Sequence, residues 1–110
     1  MANSAGLVEY LLESLAPLGG VSAKRMFGGH GLFHRGLMFA LVLHDTPYLK
    51  ADAADQPGFA AEGCGPFLYD RGGKTVALGY WQVPAAVLDD PEELCAWARR
   101  AWAVAARAKR

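Results

Sequence analysis

The segment from Leu37 to Leu43 is apolar at every position, and this places a strong constraint on the fold. Successive side chains of a β-strand point to opposite sides of the sheet, so both sides of this strand would be apolar. Strict alternation would group the residues as Leu37, Phe39, Leu41 and Leu43 against Met38, Ala40 and Val42. An antiparallel sheet usually turns one polar face to water. We therefore expect a central strand with a helix on one face, and with the other helix or a partner subunit on the second.

Turn residues divide the chain on either side of this strand. Arg35-Gly36 and His44-Asp45-Thr46 are typical of turns, and Asp70-Arg71-Gly72-Gly73 is the clearest hairpin loop. Between such turns the sequence predicts strands at 21–27, 31–34, 37–43, 48–50, 67–69 and 75–81. Residues 51–63 lack strong periodicity, and we expect a loop there with one helical turn around Phe59.

The N-terminal segment is predicted to be a helix. Apolar residues recur at helical spacing from Leu7 to Leu18, Asn3 or Ser4 can cap the first turn, and Pro17 ends the pattern.

A second helix is predicted near the C-terminus. Asp90 is suited to the N-cap, Pro91 to the first helical position, and Glu93 to the completion of a capping box. Trp97 and Trp102 fall among alanines on one side, which would let this helix lie close to a sheet. The expected fold class is α+β: a mostly antiparallel sheet of about five strands with two hairpins, and both terminal helices packed on it.

Composition limits the classes of function. The chain has 110 residues, of which 53% are hydrophobic, and we expect a single domain spanning 1–110. A formal net charge of zero argues against a dedicated polyanion binder, because Lys and Arg dominate affinity for nucleic acids. The sequence predicts neither a secretory signal nor a membrane helix. Cys64 and Cys95 fit no metal or disulfide pattern, so we expect a cytoplasmic protein with reduced thiols.

The most distinctive segment carries two cations, two large apolar residues and three closely spaced glycines. It runs Lys24, Arg25, Met26, Phe27, Gly28, Gly29, His30 and Gly31. Glycines at this density are found in phosphate-binding loops and also at structural bends or bulges. The segment lacks the Gly-Lys-Ser/Thr ending of a phosphate loop, and a strand is predicted to follow it instead of a helix. The two cations fit either an exposed contact patch or a solvated edge strand.

The same segment carries a family resemblance. TfoX N-terminal domains typically show a basic residue followed by Met-Phe-Gly-Gly, a variable residue and Gly-Leu-Phe, which here is the stretch from Arg25 to Phe33. Further matches follow in order at Leu37-Met38-Phe39-Ala40-Leu41, Tyr48-Leu49-Lys50-Ala51-Asp52, Pro66-Phe67-Leu68-Tyr69 and Gly79-Tyr80-Trp81-Gln82-Val83-Pro84. The chain therefore resembles the N-terminal domain of the TfoX/Sxy regulators of bacterial DNA uptake over nearly its whole length.

This resemblance implies a helix-flanked sheet like that of secretion chaperones, and a role in regulating competence genes together with a transcription factor. Regulators of this family usually carry a second, helical C-terminal domain, and this sequence ends at Arg110, so we expect a stand-alone domain. The implied function is a non-enzymatic regulatory module that binds a protein partner or a second copy of itself. We expect that partner to contact either the doubly apolar sheet or the edge at Lys24–Phe27, with Lys24 to Gly31 as the predicted contact segment. We expect no cofactor, metal or catalytic group.

One alternative is a small-ligand-binding protein or enzyme with a pocket near His30, His34 and Tyr69. On one extended strand the two histidines would be about 13 Å apart, too far for a shared zinc ion unless the chain folds sharply. Cys64, between two glycines, would act as a nucleophile only in an environment that lowers its pKa. A further alternative is direct nucleic-acid binding by the arginines of the last helix, which the neutral net charge disfavours.

Overall fold

Glycine and left-handed turns fold the chain back on itself repeatedly, and the strands between them form one sheet. The computed structural model describes residues 5–26 and 28–108. In chain order these residues form α1 (Ala5–Ser14), a 3₁₀ helix (Ala16–Leu18), β1 (Val21–Met26), β2 (Gly29–His34), β3 (Leu37–Leu43), β4 (Thr46–Lys50), α2 (Gln56–Ala61), β5 (Pro66–Arg71), β6 (Lys74–Gln82), α3 (Ala85–Leu88) and α4 (Pro91–Ala108).

The sheet is antiparallel and open, with strand order β1-β2-β3-β4-β6-β5. The α+β class is confirmed, and β3 lies inside the sheet as expected. The described residues form six strands, one at each of the six predicted ranges, although the expected sheet was counted as about five. They form four hairpins where two were expected. The predicted turn at His44-Asp45 has φ angles of 50° and 57°, which are left-handed although neither residue is glycine. Paired left-handed residues match the twist of adjacent strands.

The phase of β3 differs from strict alternation. Its pairing with β2 shifts by one residue at Phe39, which is the extra residue of a β-bulge. As a result Phe39 and Ala40 both belong to the main core, while Leu41 and Leu43 belong to a second cluster. The prediction that Phe39 shares a face with Leu41 was therefore wrong. A bulge places consecutive residues on one side, and nothing in an all-apolar run marks its position.

All of the helices pack on one side of the sheet, which we call the inner face. Helix α4 lies mainly on β3 and β4, and α1 contacts both α4 and β1. The small side chains of Ala98 and Ala101, exposed by 0% and 2%, let α4 approach the strands closely. Trp97 packs edge-on against Phe59 of α2 with ring centroids 4.8 Å apart. The alanine-rich side of α4 therefore lies against the sheet, as its composition predicts.

The other tryptophan of α4 joins the helix to the sheet by a hydrogen bond. The indole N–H of Trp102 donates to the carbonyl of His34 at 2.7 Å, and the two rings meet edge to face. A buried indole N–H needs such a partner. His34 itself is buried, and its Nδ1 makes no hydrogen bond within the described residues.

The start of α4 follows the predicted cap, with one correction. The Asp90 carboxylate accepts hydrogen bonds from the backbone N–H groups of Glu92 and Glu93 at 3.1 and 3.4 Å. The capping box expected with Glu93 does not form. The N–H of Asp90 donates instead to the carbonyl of Val87 at 3.1 Å, because the short helix α3 ends immediately before α4. Helix α3 was not predicted from the sequence.

Other boundaries differ modestly. Helix α2 has six residues, more than the single turn expected around Phe59. The caps proposed at Asn3 and Ser4, and the predicted strand end at Phe27, lie outside the described residues. Within residues 5–26 and 28–108, no helix combines the length and the hydropathy that crossing a bilayer requires.

Replacing Asp90 with alanine should lower the free energy of unfolding by about 1 kcal/mol, because two N–H groups at the start of α4 lose their acceptor. Chemical denaturation of the two proteins measures the difference. Asp89→Ala is the matched control, since it removes the same charge one residue earlier and leaves the cap in place. Equal losses in both variants would show that charge, and not capping, is responsible.

Candidate partner-binding surface

The side of the sheet opposite the helices, which we call the outer face, carries its own apolar cluster. Leu41, Leu43 and Tyr80 are its buried members, and half-buried Met38, Tyr48 and Phe67 pack against them. Every member belongs to a strand. Among the described residues, therefore, strand side chains alone shield this cluster, whereas α4 covers the inner face of the same strand β3.

The cluster is well packed at its centre and open at its margin. Leu41 is 2% exposed and Tyr80 is 6% exposed, although no helix of the described residues belongs to their cluster. The rings of Tyr48 and Phe67 meet edge to face with centroids 5.3 Å apart. The margin of the cluster therefore keeps apolar side chains partly exposed to solvent.

The apolar surface continues from β3 onto β2 and β1. Strand pairing places Lys24, Gly31, Leu41 and Tyr48 in one row across the sheet. Gly31 is the low point of this row. A Cβ atom there would lie 2.7 Å from the Sδ atom of Met38 and 2.9 Å from that of Met26, so two thioethers fill the space above the glycine.

Two lysines flank this apolar surface. The Lys24 ammonium lies 5.5 Å from the ring centroid of Phe33, and the Lys50 ammonium lies 4.8 Å from that of Tyr80. Cation–π contacts of this kind hold a charged group beside an apolar area without a carboxylate partner. The outer face thus combines an apolar centre with positive flanks.

The predicted contact segment is divided between the two faces. Lys24 and Met26 lie on the outer face, whereas the alternation of β1 and β2 sends Arg25 and its cross-strand neighbour His30 to the inner side. Phe27 lies outside the described residues. The sequence grouped these residues by proximity along the chain, and a strand period of two separates them in space.

The glycines of this segment have structural roles. Gly28 lies in the turn between β1 and β2 with a φ of +75°, a conformation that favours glycine. Gly29 already belongs to β2, so a strand follows the turn at once. The arrangement is a hairpin turn and lacks the helix N-terminus on which a phosphate loop depends.

Burial changes the acidity of two tyrosines of the outer face. Desolvation raises the pKa of Tyr80 from 10.0 to about 12. The same cause raises the pKa of Tyr48. A phenolate is disfavoured where water is excluded, so the burial of these two side chains is the cause of both shifts.

The strands that carry the residues of the alternative pocket lie far apart in the sheet. Tyr69 belongs to β5 at one end of the strand order, and β3, β4 and β6 lie between it and β2, which carries His30 and His34. Four strand spacings correspond to about 19 Å. The strand order therefore separates the backbone of Tyr69 from that of the two histidines, and His34 is buried against α4.

The remaining candidate groups are not arranged for catalysis. Cys64 is half-buried, and desolvation together with the charge of Glu62 raises the pKa of its thiol, which disfavours the nucleophilic thiolate. Cys95 is buried, and its thiol donates to the carbonyl of Ser14 at 3.1 Å. Among the described residues, no three His, Cys, Asp or Glu side chains come close enough together to hold a metal ion. An open groove of about 330 Å³ between α1 and α4 contains Cys95, Glu92 and Arg99 in its lining.

Comparison with known families agrees with the motifs and the fold. The model of the TfoX N-terminal domain matches residues 13–105, which is most of the chain. The chain belongs to this family. A search of curated proteins finds no match to the sequence.

The outer-face cluster of this TfoX N-terminal domain lies outside the contact segment predicted from the sequence. Tyr48, Phe67 and Tyr80 lie within the family motifs, yet they are distant in sequence from the glycine segment and meet only through strand pairing. The available signal was one tyrosine in each of β4 and β6. Pairing β4 with β6 would have placed Tyr48 and Tyr80 on the same face, diagonally across the two strands.

In this TfoX N-terminal domain, Gly31→Ala should change the free energy of unfolding by no more than about 1 kcal/mol. The new methyl group must displace two flexible thioethers, while alanine lowers the entropy cost of ordering the strand. Gly79→Ala is the comparison, because a φ of +77° should make alanine more costly there, by about 1–2 kcal/mol. Denaturation gives both values, and methyl NMR signals of Met26 and Met38 should shift only in the first variant. A larger loss at Gly31 than at Gly79 would contradict this account.

Stability should also fall at alkaline pH. Because the folded pKa of Tyr80 is raised from 10.0 to about 12, the unfolded chain releases this proton first as the pH rises. The contribution of the protonated Tyr80 to the free energy of unfolding is complete below pH 10 and is lost as the pH rises towards about 12. Urea denaturation across this range should show a smaller fall for Tyr80→Phe than for the unmodified domain. Equal falls would show that Tyr80 is not the responsible group.

Proposed function

We propose that this chain is a non-enzymatic regulatory domain that modulates transcription by binding a protein partner through the outer face of its sheet. The observation that carries the proposal is the second apolar cluster on β3. Its buried residues Leu41 and Leu43 receive no cover from a described helix, whereas the opposite side of the same strand is covered by α4.

Membership of the TfoX N-terminal family supports the regulatory part of the proposal. The family resemblance connects such domains with competence genes and with a transcription factor. A net charge of zero favours a protein over DNA as the direct contact, because affinity for DNA depends mainly on Lys and Arg. A transcription factor is therefore the class of partner that we favour, with self-association as the alternative mode of binding.

The chemistry of the described residues supports binding rather than catalysis. The histidines considered for a pocket lie on the inner side and are far from Tyr69 along the sheet. The thiol of Cys64 has a raised pKa. By contrast, the outer face offers an apolar, partly dry surface with aromatic and methionine side chains, which are enriched where proteins meet.

Phe33→Asp tests this function in the host organism. Phe33 is half-buried on the outer face, so a carboxylate there should prevent apolar docking while the inner core stays intact. Deleting the gene should change the abundance of a defined set of transcripts. The unmodified gene should restore that set, and Phe33→Asp should not.

Ala86→Asp is the matched control, because it adds the same charge at an exposed position of α3. It should restore the transcripts fully. Circular dichroism and thermal denaturation must show that both variants fold. Full restoration by folded Phe33→Asp, or a deletion that leaves transcription unchanged, would contradict the proposal.

A further inference from the structure

We propose that the partner segment bound by the outer face is an acidic amphipathic helix, with an apolar stripe and carboxylates along both of its sides. This inference rests on the proposed function and adds the chemistry of the partner. It follows from the charges on the outer face, their spacing and the nature of the surface between them.

The charges at the outer positions of β1 to β4, and of β6 at residues 80–82, have one sign. Strand pairing assigns Lys24, Lys50, Ser22, Thr46 and Gln82 as the polar residues among these positions. None of these positions carries a carboxylate. A partner that brings carboxylates would therefore meet complementary charge, and a basic partner would meet repulsion.

The two ammonium groups are available for such a partner. Neither Lys24 nor Lys50 forms an ion pair with a residue that the structure describes, and each is held over an aromatic ring. The ion pair between Arg107 and Asp52 shows where a cation of this chain already has its carboxylate, at 2.8 Å. The lysines of the outer face have no equivalent within the described residues.

The spacing of the lysines fits a helix. Lys24 is on β1 and Lys50 is on β4, which are separated by β2 and β3. Three strand spacings correspond to about 14 Å. A helix with its side chains is about 10–12 Å wide. A helix lying over β2 and β3 would thus have a lysine on each side, within reach of glutamate side chains.

The surface between the lysines is apolar and adaptable. Leu41 forms its buried centre, and Met26 and Met38 meet above Gly31. Unbranched thioethers change shape at little cost, so they can follow the contour of a docked apolar stripe. A helix here would form a third layer that mirrors α4 across β3.

A second copy of this chain is a poorer occupant. Two outer faces brought together would bury four lysines and supply no carboxylate from the positions assigned above. Like charges brought together across an interface oppose association. The same two lysines are also few for stable attachment to an anionic membrane, where each basic residue contributes only about 1 kcal/mol.

Three synthetic peptides test the inference. Each is about five helical turns long and has the same leucine stripe, and the positions on both sides of the stripe are glutamate, glutamine or lysine. Each is titrated into the isotope-labelled full chain, so that NMR shifts locate the site and give the dissociation constant. Vesicles of phosphatidylglycerol and analytical ultracentrifugation of the protein alone provide two further measurements.

The glutamate peptide should bind at least about tenfold more tightly than the glutamine peptide, should shift signals of Phe33 and Leu41, and should weaken as salt is added. Lys24→Glu combined with Lys50→Glu should reverse the preference, so that the lysine peptide binds best. Arg99→Glu on α4 is the matched control for charge and should leave the order unchanged.

Several results would overturn the inference. Equal affinities for the three peptides would show that the partner is not acidic. If Phe33→Asp still abolished regulation in that case, the proposed function would be supported without this inference. The inference would also be overturned if the NMR shifts were confined to the inner side. A stable dimer that buries the outer face would assign this surface to self-association. Binding to vesicles without binding to the glutamate peptide would assign it to a membrane.

Discussion

A strand that is apolar on both sides is stable only between two layers, and β3 is such a strand. The inner layer is provided by α4, whose alanines allow a close approach and whose tryptophans lock onto Phe59 and the backbone of His34. The outer layer consists of strand side chains alone among the described residues. Most features of the domain follow from this asymmetry, including the partial exposure of Met38, Tyr48 and Phe67 and the dry environment of Tyr80.

The bulge at Phe39 decides how the apolar side chains of β3 are distributed. Without it, Phe39 would face outward with Leu41, and a large aromatic ring would be lost from the core under α4. With it, Phe39 is fully buried on the inner side, and the smaller Leu41 and Leu43 remain outside. The local shift in register thus places the large ring of Phe39 under α4 and leaves the smaller side chains of Leu41 and Leu43 on the outer face.

Much of the architecture was predictable from the sequence because its signals are local. The cap at Asp90, the turn at Arg35-Gly36 and the apolar run of β3 each depend on a few neighbouring residues. The capping box failed because Val87, from an unpredicted helix, already holds the N–H of Asp90. The candidate surface was predicted only in part, since Lys24 and Met26 are near Gly31 in the chain, whereas Tyr48 and Tyr80 reach the same face through pairing of β4 with β6.

The contacts between the two ends of the chain have a consequence for synthesis on the ribosome. Tyr10 bonds to the carbonyl of Leu88, and Cys95 bonds to the carbonyl of Ser14, across separations of 78 and 81 residues. Until α4 has left the exit tunnel, the inner side of β3 lacks the helix that covers most of it, and its apolar side chains there are exposed. Such a chain is exposed to aggregation during translation, which makes it a natural client for chaperones that bind emerging polypeptides.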